Sequence, residues 1–585
     1  MTQPRPSLRI ANCSGFYGDR LSAAREMVEG GPIDVLTGDY LAELTMLILW
    51  KARQRDPQGG YAVSFLAQMR DVLGSCLERG IKVVVNAGGL NPAGLAAELG
   101  ELAALAGLAP KIAYLEGDDL LPRLPQLRAA GERFAHLSTG QPLADAGVEP
   151  VTANAYLGAW GITEALRAGA DVVICGRVTD ASLVVGPAAW AFDWALDDWD
   201  RLAGAVTAGH IIECGAQATG GNYSFFTELD HPVHPGFPIA EMYPDGSCVI
   251  TKHQGTGGAV TIDTVTAQLL YEIERPSYPN ADVIARFDTA VLAQDGPDRV
   301  RVSGVRGEPA PDTLKVCLNY RGGYRNTAAF VLTGLDLDAK ARFAQAALLD
   351  AVGGRDRFAE LDIRLDGSTA SDGTARLVVT AKDPDKERVG RALFTAIAGT
   401  GLSSYPGFHM EQASPHPTEY GIYWPALVWA DAVHAEVVLA DNTRISVPRP
   451  PVRPHVVSAD VPADPAPSMP GPYVSVPLGR IAGARSGDKG GDANVGLWAR
   501  DDLAYTWLRG YLDVERLRQL LPEAAELAIS RYELPNLRAL NFVVHGLLGD
   551  GVAASTRPDP QAKSLGEYLR ARPVDIPEAL LTDRS

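Results

Sequence analysis

The 585-residue sequence predicts an α/β protein of several folding units. Three observations carry that prediction. Over the first 220 residues one pattern recurs: an amphipathic helix, a glycine where the helix must stop, and a short apolar strand. Farther along, strand pairs alternate with helices, the order of an α+β unit. Between Pro448 and Pro472, nine of twenty-five residues are proline, which removes too many N–H donors for a helix or a central strand. Residues 448–472 therefore read as a semi-rigid linker, with 473–585 as a domain beyond it.

Leu8–Ala11 is the first strand, and Gly30-Gly31 before Ile33–Leu36 gives a weak instance of the pattern. Between Tyr61 and Arg79 the apolar residues Leu66, Met69, Leu73, Cys76 and Leu77 recur at three and four residues and line one helical face. Gly80 ends that helix before the strand Ile81–Val85. Ala93–Ala106, Gly107 and Ile112–Leu115 repeat the unit, as do Tyr156–Ala168, Gly169 and Asp171–Cys175. Strands so nearly all apolar are buried on both faces, which requires a parallel sheet between helix layers. Residues 1–260 are thus expected to form a Rossmann-like, mostly parallel α/β domain, with a loop-rich stretch at 215–260.

In residues 261–447, Leu314–Tyr320 and Ala328–Leu332 read as a hairpin turning at Gly322-Gly323. A helix at Ala339–Leu349, strands at Leu361–Leu365 and Ala375–Val379, a helix at Lys386–Ile397 and strands at Glu419–Trp424 and Ala435–Leu439 complete a middle α+β part. Beyond the linker, strands at Val474–Ala482, Ala493–Leu497, Leu527–Arg531 and Ala539–Val544, with helices within Leu503–Leu521, make a second α+β domain.

Lys and Arg number 53 against 71 Asp and Glu, a net charge of −18 that repels phosphate backbones, so no nucleic-acid partner is expected. Six scattered cysteines without a CxxC pair read as reduced thiols. The start MTQPRPSLRI has no apolar signal core and no apolar run approaches a membrane span, so we expect a cytoplasmic chain with no membrane partner; a homo-oligomer is expected as well.

A parallel sheet binds its ligand at the carboxyl ends of its strands. The segments leaving those ends are Thr37-Gly38-Asp39-Tyr40, Asn86-Ala87-Gly88-Gly89-Leu90-Asn91-Pro92, Glu116-Gly117-Asp118-Asp119 and Gly176-Arg177-Val178-Thr179-Asp180. Each combines glycine, which lets backbone approach a ligand, with a polar side chain that can orient it. Asp39, Asn86, Gly88, Gly89 and Arg177 are accordingly candidate substrate-binding residues.

The segments Asn12–Asp19, Asn86–Pro92, Gly176–Ser182 and Gly255–Gly258 resemble the acyclic terpene utilisation (AtuA-like) family nearly end to end. Ser486–Asn494 and Asn541–His545 resemble the ferredoxin-like domain that often follows in that family. The resemblance implies a ferredoxin-like C-terminal domain and a role in branched acyl-CoA catabolism, with an acyl thioester as small-molecule substrate and coenzyme A as part of it. It implies no catalytic residues, and fold alone supplies no mechanism.

Four groups of residues can carry such chemistry. Glu213 beside Cys214 offers a general base next to a nucleophilic thiol; the opposing reading is a buried core thiol, because the carboxylate raises the thiol's pKa. Arg177 and Asp180 either hold ligand oxygens and move a proton or pair with each other to fix their loop. His253 and Gly257, in Lys252-His253-Gln254-Gly255-Thr256-Gly257-Gly258, offer an imidazole and a backbone cradle. Lys489, in Ser486-Gly487-Asp488-Lys489-Gly490-Gly491-Asp492, would reach the same site if its domain folds over the sheet. Asp180, Glu213, Cys214 and His253 are the catalytic candidates. The proline inside His231-Pro232-Val233-His234 spoils the two histidines for joint ligation, so no metal is expected. No GxxxxGK[ST] occurs and no GxGxxG opens a helix after the first strand, which speaks against P-loop and dinucleotide cofactors.

Overall fold

The computed structural model describes residues 6–367, 373–411, 413–454, 469 and 471–581. Its first six strands are β1 (Leu8–Asn12), β2 (Val35–Gly38), β3 (Lys82–Val85), β4 (Ile112–Glu116), β5 (Pro150–Ala155) and β6 (Val172–Ile174). All but β5 lie side by side and parallel in the order β1-β2-β3-β6-β4. Helices Val63–Arg79 and Pro92–Leu105 turn Phe65, Met69, Val72, Leu95 and Leu99 onto Leu36, Val83, Val172 and Ile174. Full burial of each such side chain stabilises by about 1.5–3 kcal/mol. The first helix stops where Gly80 takes φ +69° and its N–H turns back to the Cys76 and Leu77 carbonyls. The expected glycine-punctuated units are thus present, although the third helix begins only at Trp160, after the unforeseen β5.

The sheet is mixed and has eleven strands. Beyond β1, strands β7 (Pro238–Met242) and β8 (Cys248–Lys252), then Arg299–Ser303 and Val291–Gln294, continue it antiparallel. Beyond β4, Glu436–Val438 and Arg444–Ser446 do the same.

The chain divides into two compact units. One comprises residues 1–318, 423–552 and 561–585; it holds the eleven-stranded sheet and the C-terminal domain. That domain is an antiparallel four-stranded sheet in the order Ala482–Lys489, Asp492–Ala499, Ala539–Val544, Ile529–Leu534. Helices Asp502–Tyr511, Val514–Leu520 and Leu565–Ala571 bury Leu508, Leu517 and Leu569 with Val495, Leu497, Leu540 and Phe542. Its other face meets the segment Leu270–Glu274. Asn494 donates to the Leu270 carbonyl (3.1 Å) and accepts the Glu272 N–H (2.8 Å), and Asn541 donates to the Ile273 and Glu274 carbonyls. Gly496 permits this approach, since a Cβ there would lie 2.6 Å from Leu270 Cβ.

The other unit is residues 319–422 and 553–560, with Phe330, Leu332, Leu348, Leu377 and Val379 in its core. Here the expected hairpin is corrected: Thr313–Thr333 is one continuous strand, and Tyr324–Thr333 pairs with Thr374–Asp383. Gly322 serves close packing instead of a turn, because a Cβ there would lie 2.3 Å from the Tyr420 ring. The helix expected at Lys386–Ile397 is a wide turn at Arg388–Ala392 followed by Leu393–Gly399. Of the linker, Val452–Arg453 adds a short parallel strand to Arg306–Pro311, while 455–468 and 470 lie outside the described residues. Among the described residues no helix is long and apolar enough to cross a membrane.

Candidate functional site

The carboxyl ends of the parallel strands gather polar side chains on one rim. Leaving β2, the buried Asp39 accepts from Asn86 Nδ2 (2.5 Å) and from the Leu41 N–H (3.1 Å), while Asn86 Oδ1 accepts the Tyr40 N–H (2.7 Å). Leaving β4, Asp118 accepts the Arg177 N–H and Asn154 Nδ2, each at 2.9 Å. Leaving β6, Arg177 is buried, donates to the Leu41 carbonyl (2.7 Å) and to Asp180 (2.5 Å), and lies 4.1 Å over the Tyr156 ring. Leaving β1, Asn12 donates to the Glu213 carbonyl (3.2 Å), which brings the turn after helix Trp199–Ile212 to the same rim.

Further residues close the ring. Glu43 accepts from Tyr156 (3.1 Å) and from Lys315 (3.2 Å). His210 Nδ1 and Glu213 Oε1 share a hydrogen bond of 3.0 Å, and the imidazole packs against the stacked rings of Tyr278 and Phe287. The outer atoms of this pair, His210 Nε2 and Glu213 Oε2, are buried with no hydrogen-bond partner. From the C-terminal domain, Lys563 lies 3.6 Å from Glu272 and bonds the Tyr271 hydroxyl. Arg485 stacks 4.4 Å over Tyr271 and bonds Gln217, and Asp488 and Lys489 act electrostatically on Glu272.

Seven carboxyls (Asp39, Glu43, Asp118, Asp180, Glu213, Glu272, Asp488) face five cations (Arg177, Lys315, Arg485, Lys489, Lys563), so the acids cannot all ionise cheaply. Burial, with Asp180 and Glu272 beside it, holds Glu213 well above the usual carboxylate range. Asp39, Asp180 and Asp488 are pushed the same way, first by burial. Burial outweighs Lys489 and lifts Glu272 to about 7. Only Glu43 moves down, to about 2: burial opposes ionisation there, but Lys315 and Arg177 together overcome it. Burial and then Lys489 lower His210 to about 4, so its ring is neutral at pH 7.

Glu43, Asp180, Glu272, Lys315 and Lys563 are enclosed by protein deeply enough for burial to be the largest single influence on their ionisation, yet each keeps 30–36% of its side-chain surface accessible. Groups in that condition line a cleft. Two further cavities, of about 390 Å³ beside Glu116 and Glu436 and about 110 Å³ beside Trp160 and Asp282, include none of the cluster. Among the described residues no group of three or more His, Cys, Asp or Glu is arranged to hold a metal ion.

Of the residues singled out in the sequence, Asp39, Asn86, Arg177, Asp180, Glu213, Cys214 and Lys489 converge on this cleft, and four do not. His253 is corrected: its Nε2 meets the Met27 carbonyl (2.9 Å), its ring fills the space beside Gly30 and Gly31, and its charged neighbours are Arg9 and Arg79. Gly88 and Gly89 spend their N–H groups on the Cys175 and Asn86 carbonyls, and a Cβ on Gly257 would collide with the His231 carbonyl, so all three are packing positions. Cys214 is in place but in the wrong state for a nucleophile, because burial, Glu213 and Glu272 all raise its thiol. Arg177 follows the ion-pair reading, both terminal nitrogens being engaged within the protein. Asp488 stood in the sequence only as part of the Ser486–Asp492 segment, and Glu43, Glu272, Lys315, Arg485 and Lys563 were not singled out. No local motif marks them; only the burial of a charge in a strand or helix end would have flagged any.

No curated protein matches this chain. A family model for the AtuA ferredoxin-like domain matches residues 476–575, and one for the acyclic terpene utilisation family protein AtuA matches residues 8–439. The chain thus belongs to the AtuA family, with an AtuA ferredoxin-like domain at its C-terminal end.

Proposed function

We propose that the chain is an enzyme acting on an acyl-CoA-type thioester at the rim cleft. Family membership suggests a role in acyclic terpene utilisation, and the thioester is the finer step that we add. The observation that carries it is Glu272, a carboxyl titrating at about 7 on the wall of a cleft that also presents Lys489 and Lys563. A base poised near the working pH takes and returns a proton at least cost, and cations in a desolvated site stabilise the oxyanion that forms when a thioester carbonyl is attacked or enolised. In this reading Glu272 moves the proton and Lys489 faces the developing charge. The buried Arg177–Asp180 pair holds the loop, and the His210–Glu213 pair shares a proton behind Glu272. Hydrolysis, hydration and acyl transfer all use this arrangement. The alternative of a non-catalytic binding subunit is disfavoured by so many perturbed acids converging, since a scaffold gains nothing from their cost.

Native mass spectrometry against a panel of coenzyme A thioesters tests the proposal and reads the stoichiometry of the expected homo-oligomer as well. Retained ligand together with a product mass is the expected result, and Glu272→Gln should lower turnover by about 10²–10⁴-fold. Failure of every thioester to bind or react would overturn it.

A further inference from the structure

The C-terminal domain carries a second constellation, one ladder pair away from Lys489, whose partner across the sheet is Asp492. Ser530 Oγ lies 2.9 Å from His545 Nε2, and His545 Nδ1 lies 2.9 Å from Asp492 Oδ2. Asp492 Oδ1 accepts the Gly546 N–H at 2.8 Å. Three adjacent strands hold the group: Asp492 opens Asp492–Ala499, His545 follows Ala539–Val544, and Ser530 sits on the outermost strand, Ile529–Leu534. Ser530 pairs across with Val543 and Ala493 with Val544, so the ladder register fixes the three side chains on one face.

The hydrogen-bond directions follow from the partners. Asp492 accepts at both oxygens, so His545 Nδ1 carries the proton, and Nε2 is left to accept from the Ser530 hydroxyl. Exposure rises along the chain of bonds in the useful sense, from Asp492, 16% accessible, to His545, 42% accessible. The ladder also offers a donor for an oxyanion. The His545 N–H bonds the Ala528 carbonyl, and alternation along an antiparallel pair then turns the Ser530 N–H inward and the Arg531 N–H off the free edge. The Arg531 side chain itself is engaged by the Leu512 and Arg509 carbonyls.

We propose that Ser530, His545 and Asp492 form a nucleophilic triad that takes carboxylic esters or thioesters. Ser530 Oγ bonds to the carbonyl carbon while its proton passes to His545 Nε2. The tetrahedral intermediate breaks its bond to the leaving oxygen or sulfur, which receives that proton, leaving an acyl-Ser530 ester. Water then adds to this ester with His545 as base, the bond to Oγ breaks, and the proton returns to Ser530, releasing the acid.

The test uses the full chain and a fluorophosphonate probe, which needs no coenzyme A thioester, so the result is independent of the rim-cleft reading. A single adduct mapping to Ser530 is expected. His545→Gln should slow its formation at least about a hundredfold, with added imidazole restoring part of the rate to His545→Ala, and Asp492→Asn should slow it about as much. Because Ser530→Ala removes the label trivially, Ser530→Cys is the second variant: its alkylation by iodoacetamide should depend on His545 in the same way. No adduct, adducts spread over other serines, or a rate indifferent to His545→Gln would overturn the triad and leave a structural hydrogen-bonded trio.

Discussion

Arg177 shows how one residue can hold a site together from within. Its guanidinium is a buried positive charge that pairs with Asp180 and acts on Asp39 and Glu43, and it bonds the Leu41 carbonyl as well. Removing it leaves those acids uncompensated in a desolvated space, which typically costs about 3–5 kcal/mol. Arg177→Ala is therefore expected to lower the stability measured by urea unfolding by about 3 kcal/mol and to abolish ligand retention. Arg177→Lys, which keeps the charge but loses the forked geometry, should fall between. The opposite expectation holds at Cys214. With Glu213 and Glu272 raising its thiol, Cys214→Ala should leave turnover within about twofold of the parent, and iodoacetamide should modify Cys214 more slowly than free cysteine at pH 7.5. A burst of alkylation accompanied by loss of activity would reinstate the thiol as nucleophile.

Strand Thr313–Thr333 shows what an element's sequence reveals and what it conceals. Two adjacent glycines between apolar runs carry the local signature of a turn, yet Gly322 lies flat against Tyr420 and the strand runs on. A turn tolerates alanine outside left-handed positions, whereas a methyl 2.3 Å from the Tyr420 ring must displace it. Gly322→Ala is thus expected to cost about 2 kcal/mol in thermal unfolding, within the range for overpacking a core; a neutral substitution would favour the hairpin. The helix-ending glycines were legible because their cause is local: Gly80, Gly107 and Gly169 all adopt positive φ where a helix ends. The outer strands Val291–Gln294 and Glu436–Val438 were not legible as parts of the first sheet, since pairing partners far apart in sequence leave no periodic trace. The site divides on the same line. Asp39, Asn86 and Asp180 could be found from strand ends, while Glu272 and Lys563 matter only because distant segments meet.

At the scale of the whole molecule the cleft makes stability a function of pH, with a sign that can be worked out. Glu272 has a folded pKa of about 7, above the 4.5 of a free glutamate, so the folded state holds a proton that the unfolded chain releases. Its contribution is complete below pH 4.5 and disappears as pH rises through 7. Glu213, Asp39, Asp180 and Asp488 shift in the same direction and add to the loss. His210 opposes them: lowered to about 4 from 6.5, it makes the fold more stable as pH rises from 4 to 6.5, and nothing further above that. Glu43, at about 2, contributes stability that is lost only in strong acid. Between pH 4.5 and 6.5 His210 offsets only one of these five acids, so their loss prevails, and above 6.5 they act unopposed. Unfolding by urea should accordingly show stability falling from about pH 4.5 to 7, more steeply above pH 6.5, where His210 no longer opposes the loss. Glu272→Gln, which carries a neutral side chain at every pH, should flatten that decline by about 1 kcal/mol once the partial exposure of Glu272 is discounted. The segment that carries Glu272 is also held by Asn494 of the ferredoxin-like domain, through the Glu272 N–H at 2.8 Å. Asn494→Ala should therefore let water reach the carboxyl, bring it back toward 4.5 and flatten the same decline, whereas a pH profile indifferent to both substitutions would show that the C-terminal domain does not set the protonation of the cleft.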